Sequence, residues 1–343
     1  MVSFNSIFKL RMKRFQKWVD AYVFVRDGKV LNKYSSAEYE KRLSSGAQIP
    51  KGLKAHKMFN MEDGRFHPYL GSLHTAQSIT KSVLSLAVGI AVKRGAIGSL
   101  GDTIEGYLPK SLGVYFREEP KKGAITIRDL LTMRSGLRWN VEPGWWADSD
   151  TGVLEQSDNW LSFVLGRKLV AAPGTKWNYS DGDAILLAGV LEGAVGEEAS
   201  QFIQRELFEP LGVKKEEVYW KRSPQGLIDA QGGLYLSVSG FLKLGHLVLK
   251  KGRWGRRQLI GLEYMREATE TTNLKTDDKA YRYGYMWWKD ARDASRCIAW
   301  GYGGQYLIVS PKEESVVLVL GWDINNEQPP PLQFLPRGEY LKK

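Results

Sequence analysis

The chain has little cysteine and little histidine, and it has no long apolar run. Cys297 is the one cysteine among 343 residues, which excludes an intrachain disulfide and a cysteine-rich zinc module. The four histidines do not have the spacing of a metal motif; they are His56, His67, His74 and His246. No stretch reaches the roughly 18 apolar residues of a membrane span, and no secretory signal is visible at the N-terminus. We therefore expect no metal, no membrane span and a cytoplasmic location.

Several catalytic fingerprints are also missing. The sequence has no Gly-x-Ser-x-Gly, which argues against an α/β-hydrolase nucleophile elbow. It has no His-Glu-x-x-His, Walker loop or dinucleotide fingerprint, so we expect no cofactor.

The formal net charge is +11, but the basic residues are spread along the chain and no nucleic-acid-binding module is visible. We therefore expect no nucleic-acid partner. One modest basic cluster lies at the N-terminus, where apolar residues recur at helical spacing. This pattern predicts a helix that either packs on a sheet or lies on a membrane surface. The basic residues of this cluster are Lys9, Arg11, Lys13, Arg14 and Lys17.

The order of predicted elements indicates the fold class. Strands come first, with a hairpin over 21–31, then a helical middle, then strands again over the last hundred residues. Within the middle we expect a short strand near residue 124 that leads into a helix, and a long polar loop over 138–160. This order predicts an α/β (α+β) fold in which an antiparallel sheet flanked by helices is built from both chain ends. We assign 1–75 and 231–343 to that domain and 76–230 to an inserted, mostly helical domain, with the catalytic cleft between them.

The strongest predicted helix, from residue 76 to about 95, begins with Ser78 and Lys81. Residues three apart lie on one helix face, so the amine and the hydroxyl would point the same way. A serine hydroxyl is a poor nucleophile until a base takes its proton, and a lysine made neutral by burial can be that base. The alternative is an N-cap serine followed by a surface lysine.

Two further segments carry polar or glycine-rich patterns. Tyr179 and Asp181 stand in "NYSDGD", where a tyrosine beside a Ser/Lys pair can relay a proton. The alternative is that the tyrosine lies in the core and the aspartate caps the next helix. The third segment, "WGYGGQ" over 300–305, lies between two apolar strands. Its glycines allow close backbone approach by a ligand, or they form a bulge or tight turn.

Taken in this order, the three segments resemble the penicillin-recognising serine hydrolases, a superfamily that includes class C β-lactamases, DD-peptidases, esterases and 6-aminohexanoate-dimer hydrolases. "LLTMRSGLRW" and "GGLYLSVSGFLKLG" also look like linking segments of that family, and the resemblance spans about residues 20 to 325. It implies that Ser78 is the acylated nucleophile and that Lys81 and Tyr179 share the base and acid roles. It also implies an oxyanion hole formed by the backbone N–H groups of Ser78 and Gln305.

Two departures from the family pattern bear on substrate. Tyr302 stands where a lysine or histidine commonly helps to hold a substrate carboxylate, which argues against β-lactams and D-Ala-D-Ala. Asp181 replaces a frequent asparagine and would favour the charged form of Lys81. Either Tyr179 then bears more of the base role, or Asp181 points away into a cap. We therefore expect a small-molecule ester or linear amide as substrate. A weak β-lactamase or D-Ala-D-Ala peptidase is the alternative, and a non-catalytic peptide- or cell-wall-binding relative is the alternative of another class. The oligomeric state stays open.

The remaining substrate contacts are predicted from their positions near the three segments. Of the tryptophans, we expect two or three to line the site. The predicted substrate-binding residues are Asp181, Tyr302, Gly303, Gly304, Trp300 and Trp139.

Overall fold

A computed structural model describes residues 17–46, 60–62, 65–141, 149–272, 274–323 and 330–335. The helix predicted at the N-terminus lies outside these residues, except for Lys17 at its end. Trp145 and Trp146, which stand in the long loop expected over 138–160, also lie outside them.

The described residues form sixteen strands and ten α-helices. The strands are β1 Val19–Arg26, β2 Lys29–Ser35, β3 Asn60–Glu62, β4 Arg65–His67, β5 Tyr69–Leu70, β6 Leu73–Thr75, β7 Val218–Trp220, β8 Leu234–Leu236, β9 Arg253–Trp254, β10 Arg257–Gln258, β11 Leu274–Lys275, β12 Tyr281–Tyr283, β13 Trp288–Asp290, β14 Asp293–Gly301, β15 Gln305–Ser310 and β16 Ser315–Gly321. The helices are α1 Ala37–Ser44, α2 Ile79–Lys93, α3 Gly113–Glu118, α4 Ile127–Leu131, α5 Asp150–Gln156, α6 Trp160–Leu165, α7 Asp181–Val195, α8 Ala199–Ile203, α9 Val238–Leu249 and α10 Leu262–Arg266.

The main sheet is antiparallel and has eight strands in the order β11-β12-β13-β14-β15-β16-β1-β2. Its strands come from both ends of the chain, as the sequence predicts. The hairpin expected over 21–31 is β1 and β2, and it turns at Asp27 and Gly28, both with positive φ. Asp and Gly tolerate that conformation, which matches the twist of a two-residue hairpin turn. The predicted fold class, an antiparallel sheet flanked by helices, is confirmed.

Helix α2 runs through the centre of the molecule. Every residue from Ile79 to Ala91 is buried, which suits a helix that is apolar on all sides. It contacts α7 on one side and β14 and β15 on the other. Its first turn is therefore held between the sheet and the helical segment, which is where the predicted nucleophile stands.

A smaller antiparallel sheet, in the order β5-β6-β8-β7, joins 69–75 to 218–236. It lies where the chain enters and leaves the helical middle, so the boundaries at 75/76 and 230/231 fall inside or beside it. The division into two domains at those residues stays a prediction.

Two local predictions are wrong. The strand expected near residue 124 is a single bridge between Thr103 and Thr126, because Thr126 instead caps α4 in a capping box with Asp129. The long loop expected over 138–160 contains α5, whose N-cap Ser149 accepts from the backbone of Gly152. Within the described ranges, no helix is both long and apolar enough to cross a membrane.

Candidate active site

Ser78 directly precedes α2, at the point where the chain leaves β6. Its side chain makes no capping hydrogen bond; instead its Oγ accepts a hydrogen bond of 2.9 Å from Nζ of Lys81. Lys81 is 1 % exposed. The alternative of a capping serine followed by a surface lysine is therefore wrong. The residue before the serine, Gln77, has a φ of 46°, a conformation that non-glycine residues adopt only when their surroundings enforce it.

The amine of Lys81 has three hydrogen-bonding neighbours. Besides Ser78, its Nζ lies 2.6 Å from Oδ1 of Asp181 and 2.7 Å from the carbonyl oxygen of Gln231. Burial lowers the pKa of Lys81, but the carboxylate of Asp181 and the phenol of Tyr179 outweigh burial and raise it above its ordinary value. An ammonium has three N–H donors, so the observed neighbours satisfy the charged form of the side chain.

Asp181 is the first residue of α7, and it does not cap the helix. Ser180 does, because its side chain accepts from the backbone N–H of Asp183 at 3.1 Å. The second carboxylate oxygen of Asp181 accepts a hydrogen bond from Oγ1 of Thr151 in α5. The alternative in which Asp181 points away into a cap is therefore wrong, and its carboxylate pairs with Lys81.

Tyr179 is half-buried and lies beside the same amine. The Nζ of Lys81 is 5.0 Å from the centroid of its ring, and the phenol raises the pKa of that amine. The ring stacks on Trp288 with centroids 5.8 Å apart and planes 27° from parallel. Tyr283 contacts it edge-on at 6.4 Å. The aromatic neighbours thus fix the plane in which the phenol approaches Lys81.

The segment "WGYGGQ" forms the turn between β14 and β15. Gly301 lies against the chain just before Ser78: a Cβ added to it would be 2.5 Å from the carbonyl oxygen of Ala76 and 2.9 Å from Cβ of Gln77. Glycine is required here because the protein's own backbone approaches closely. Gly303 and Gly304 have φ of 74° and 97°, so they turn the hairpin.

Gln305, the predicted oxyanion donor, begins β15 directly across from Gly301. Its buried side chain holds the hairpin to β16: Nε2 donates to the carbonyl of Gly321 at 2.6 Å, and the Gly321 N–H donates to Oε1 at 3.1 Å. Tyr302, at the tip of the turn, is 41 % exposed. The donor role of the Gln305 backbone, and substrate contacts of Tyr302, Gly303 and Gly304, stay predictions.

The tryptophans separate into buried and accessible rings. Trp139 is 5 % exposed and packs over Gly182 of α7, whose added Cβ would meet the ring at 2.7 Å. This burial does not support its predicted substrate contact. Trp300 is half-buried and contacts Trp288, with centroids 5.5 Å apart. The stacking of Trp288 on Tyr179 was not predicted. The aromatic run "YGYMWWK", which precedes "WGYGGQ" in the sequence, is the signal that could have indicated it.

The antiparallel sheet and the central helix define a fold of the β-lactamase and penicillin-binding-protein class, in which Ser78 and Lys81 lie together at the start of that helix. The chain belongs to the Beta-lactamase family, whose family model matches residues 20–321.

One curated protein is similar to part of this chain at low sequence identity. The chain is 28% identical over 169 residues to Penicillin-binding protein 4* of Bacillus subtilis (strain 168), an alignment covering 48% of this chain and 35% of that protein. It thus spans about a third of the length of that curated relative.

Solved structures share the fold. One is assigned as a 6-aminohexanoate-dimer hydrolase from Bacillus anthracis; the TM-score is 0.67 at 17% identity, covering 91% of this chain and 76% of that one. Another is a penicillin binding protein from Bacillus halodurans, with a TM-score of 0.61 at 16% identity, covering 94% and 95%. At these identities the structural likeness shows the fold.

Proposed function

We propose that this protein is a serine hydrolase that acts through an acyl-enzyme on small carboxylic esters or linear amides. The observation that carries the proposal is the 2.9 Å contact between Nζ of Lys81 and Oγ of Ser78, made by an amine that is 1 % exposed. A hydroxyl held against a buried amine and beside a phenol is the arrangement of an activated nucleophile.

In the proposed acylation, Oγ of Ser78 attacks the substrate carbonyl carbon. The proton of Ser78 passes to the oxygen of Tyr179 while the phenol's own proton passes to the leaving alcohol or amine, so that the phenol is neutral before and after. Lys81 stays an ammonium and stabilises the negative charge that develops on Oγ. The carbonyl oxygen becomes an oxyanion, for which the backbone N–H groups of Ser78 and Gln305 are the predicted donors. Water then hydrolyses the ester by the reverse relay.

The proposed substrate class follows from the chemistry around the site. Tyr302 is neutral at the tip of the hairpin, where a cation would attract a substrate carboxylate. Trp288 stacks on Tyr179 and Trp300 contacts Trp288; both rings are half-buried, which suits an apolar acyl chain. The relative from Bacillus anthracis is assigned as a hydrolase of a linear amide dimer, which supports amides of that kind. β-Lactams and D-Ala-D-Ala peptides are the second candidate, favoured by the similarity to penicillin-binding proteins.

The test compares wild type with Ser78→Ala on p-nitrophenyl butyrate, nitrocefin and a 6-aminohexanoate dimer, and measures the acyl adduct by mass spectrometry. We expect ester or amide turnover and an adduct on Ser78 in wild type, with neither in the variant. Ser111→Ala, which removes an exposed serine, is the control and should match wild type. A dominant nitrocefin rate would transfer the proposal to the second candidate. If no acyl probe forms an adduct, the result would favour the alternative that this protein is a non-catalytic binding relative.

A further inference from the structure

A second buried carboxylate, Asp229, lies behind the amine of the site. It is 1 % exposed and precedes the turn that leads into β8. Its Oδ1 accepts hydrogen bonds from the backbone N–H groups of Gln231 and Gly232, each at 3.2 Å. The carbonyl of Gln231 in turn accepts from Nζ of Lys81 at 2.7 Å.

These contacts place one peptide group between two charged side chains. The C=O of Gln231 and the N–H of Gly232 belong to the same peptide plane and point in opposite directions. Lys81 donates to the oxygen of this peptide and Asp229 accepts from its nitrogen. A carboxylate at the N–H end polarises the peptide and makes its carbonyl a stronger acceptor. The geometry therefore couples the charge of Asp229 to the ammonium of Lys81 without direct contact.

The surroundings hold this peptide in place from other sides. The side chain of Gln231 donates from Nε2 to Oε1 of Glu155 in α5 at 3.0 Å. Gly233 must be glycine, because an added Cβ would lie 2.4 Å from Cβ of Asp229. Lys221, which follows β7 and is 3 % exposed, supplies the positive charge that faces Asp229. A buried cation and a buried carboxylate thus both lie near the amine of Lys81.

We propose that Asp229 is a positioning residue of the catalytic site, which acts through the Gln231–Gly232 peptide to hold Lys81 in its charged, donating orientation. This inference rests on the proposed function, because it assumes that the amine of Lys81 serves acylation at Ser78.

The charge of Asp229 changes close to neutral pH. Burial raises its pKa to about 6, against the lowering effects of Lys221 and Lys81, while Asp181 raises it further. Burial also lowers the pKa of Lys221 to about 8, although Glu155 and Asp229 favour its charged form. The charged groups that face Asp229 are Lys81 in α2, Asp181 in α7, Glu155 in α5 and Lys221 after β7. Because its pKa is about 6, the carboxylate is ionised above that pH. Its support of Lys81 is lost as pH falls below that value.

The experiment compares the pH dependence of kcat for p-nitrophenyl butyrate in wild type and Asp229→Asn. Asparagine keeps an acceptor oxygen but removes the charge. We expect kcat of the variant to be roughly tenfold lower at pH 8, with KM unchanged, because a hydrogen bond to a charged acceptor is replaced by a neutral one. The ratio of the two kcat values should shrink toward one at pH 5, where wild-type Asp229 is itself neutral. A purely structural role would give a ratio that does not change with pH.

The matched control is Asp290→Asn, a buried carboxylate that accepts from Arg296 at 2.8 Å in the main sheet. Its ratio to wild type should not vary with pH. Should Asp229→Asn fail to fold, Lys221→Met tests the same coupling. Loss of the positive charge raises the pKa of Asp229, so the acidic limb of the kcat profile should move to higher pH. A pH-independent ratio in Asp229→Asn, or an unmoved profile in Lys221→Met, would overturn the inference. Wild type without an adduct on Ser78 would instead overturn the proposed function.

Discussion

The ammonium nitrogen of Lys81 and Oδ1 of Asp181 lie 2.6 Å apart in a buried site. Burial alone would favour a neutral amine, yet the pKa of Lys81 is raised because the carboxylate of Asp181 and the phenol of Tyr179 outweigh it. The pair therefore favours a lysine that stabilises charge over one that removes the proton of Ser78. These two roles make opposite demands on pH.

Asp181→Asn distinguishes the two roles. Loss of the carboxylate lowers the pKa of Lys81, so the ammonium is lost at lower pH than in wild type. If the ammonium is required, the basic limb of the kcat profile moves to lower pH and the rate near neutral pH does not rise. If instead a neutral Lys81 were the base, the same change would increase the rate near neutral pH. Thr151→Val keeps the carboxylate of Asp181 and is the control, whose basic limb should stay near that of wild type.

Gly301→Ala tests the close approach of the hairpin to the nucleophile. The new Cβ would be 2.5 Å from the carbonyl oxygen of Ala76, so one of the two backbones must move. We expect the thermal midpoint to fall, with a cost of about 1–3 kcal/mol for overpacking, and kcat to fall more than tenfold. The control is Gly106→Ala, where nothing lies within 4 Å of the added Cβ. Full activity in Gly301→Ala would show that the hairpin does not contribute to the site.

Trp288→Leu tests whether the stacked ring positions the phenol. Leucine keeps an apolar side chain but loses the plane that stacks on Tyr179. Aromatic pairs contribute about 0.5–1.5 kcal/mol beyond area burial, so we expect kcat for p-nitrophenyl butyrate to fall two- to tenfold. Trp254→Leu is the control, because this half-buried ring contacts His246 edge-on, with centroids 5.5 Å apart, outside the candidate site. Equal kcat losses in both variants would contradict a specific role for Trp288.

The sequence predicts what is local and patterned. The helix with Ser78 and Lys81 on one face follows from the 3.6-residue repeat, and the sheet from alternating apolar residues at both chain ends. The resemblance of three segments to one family predicts that Tyr179 joins them. These features depend on short stretches whose residue types restrict the backbone.

The contacts that complete the site are distant in sequence and depend on tertiary packing. The carbonyl of Gln231 is 150 residues from Lys81, and any residue type has a carbonyl, so no side-chain pattern marks it. Trp139 and Trp300 look alike in sequence, but only the fold places Trp139 over Gly182. Asp229 has no motif of its own, because its function would depend on two backbone N–H groups.

Asp183 provides a prediction about stability. This aspartate of α7 is 1 % exposed and accepts from Oγ of Ser135 at 2.7 Å. Burial nevertheless raises its pKa to about 7, well above the ordinary value of an aspartate. Between about pH 4 and 7, the folded protein therefore still holds a proton that the unfolded chain has already released. The free energy of unfolding falls as pH rises through this window. Asparagine does not titrate, so Asp183→Asn should lose this dependence.

Urea unfolding of wild type and Asp183→Asn at pH 5, 6, 7 and 8 measures the effect. We expect the variant to be less stable at pH 5, because the amide fits the pocket less well, and the difference to shrink by pH 8. Asp102→Asn is the control: hydrogen bonds from Tyr107 and the Ser99 backbone lower the pKa of that carboxylate, so it is ionised throughout and its difference should be constant. A constant difference for Asp183→Asn as well would mean that its carboxylate is ionised in the folded protein, and that Ser135 and the start of α7 stabilise the charge despite its burial.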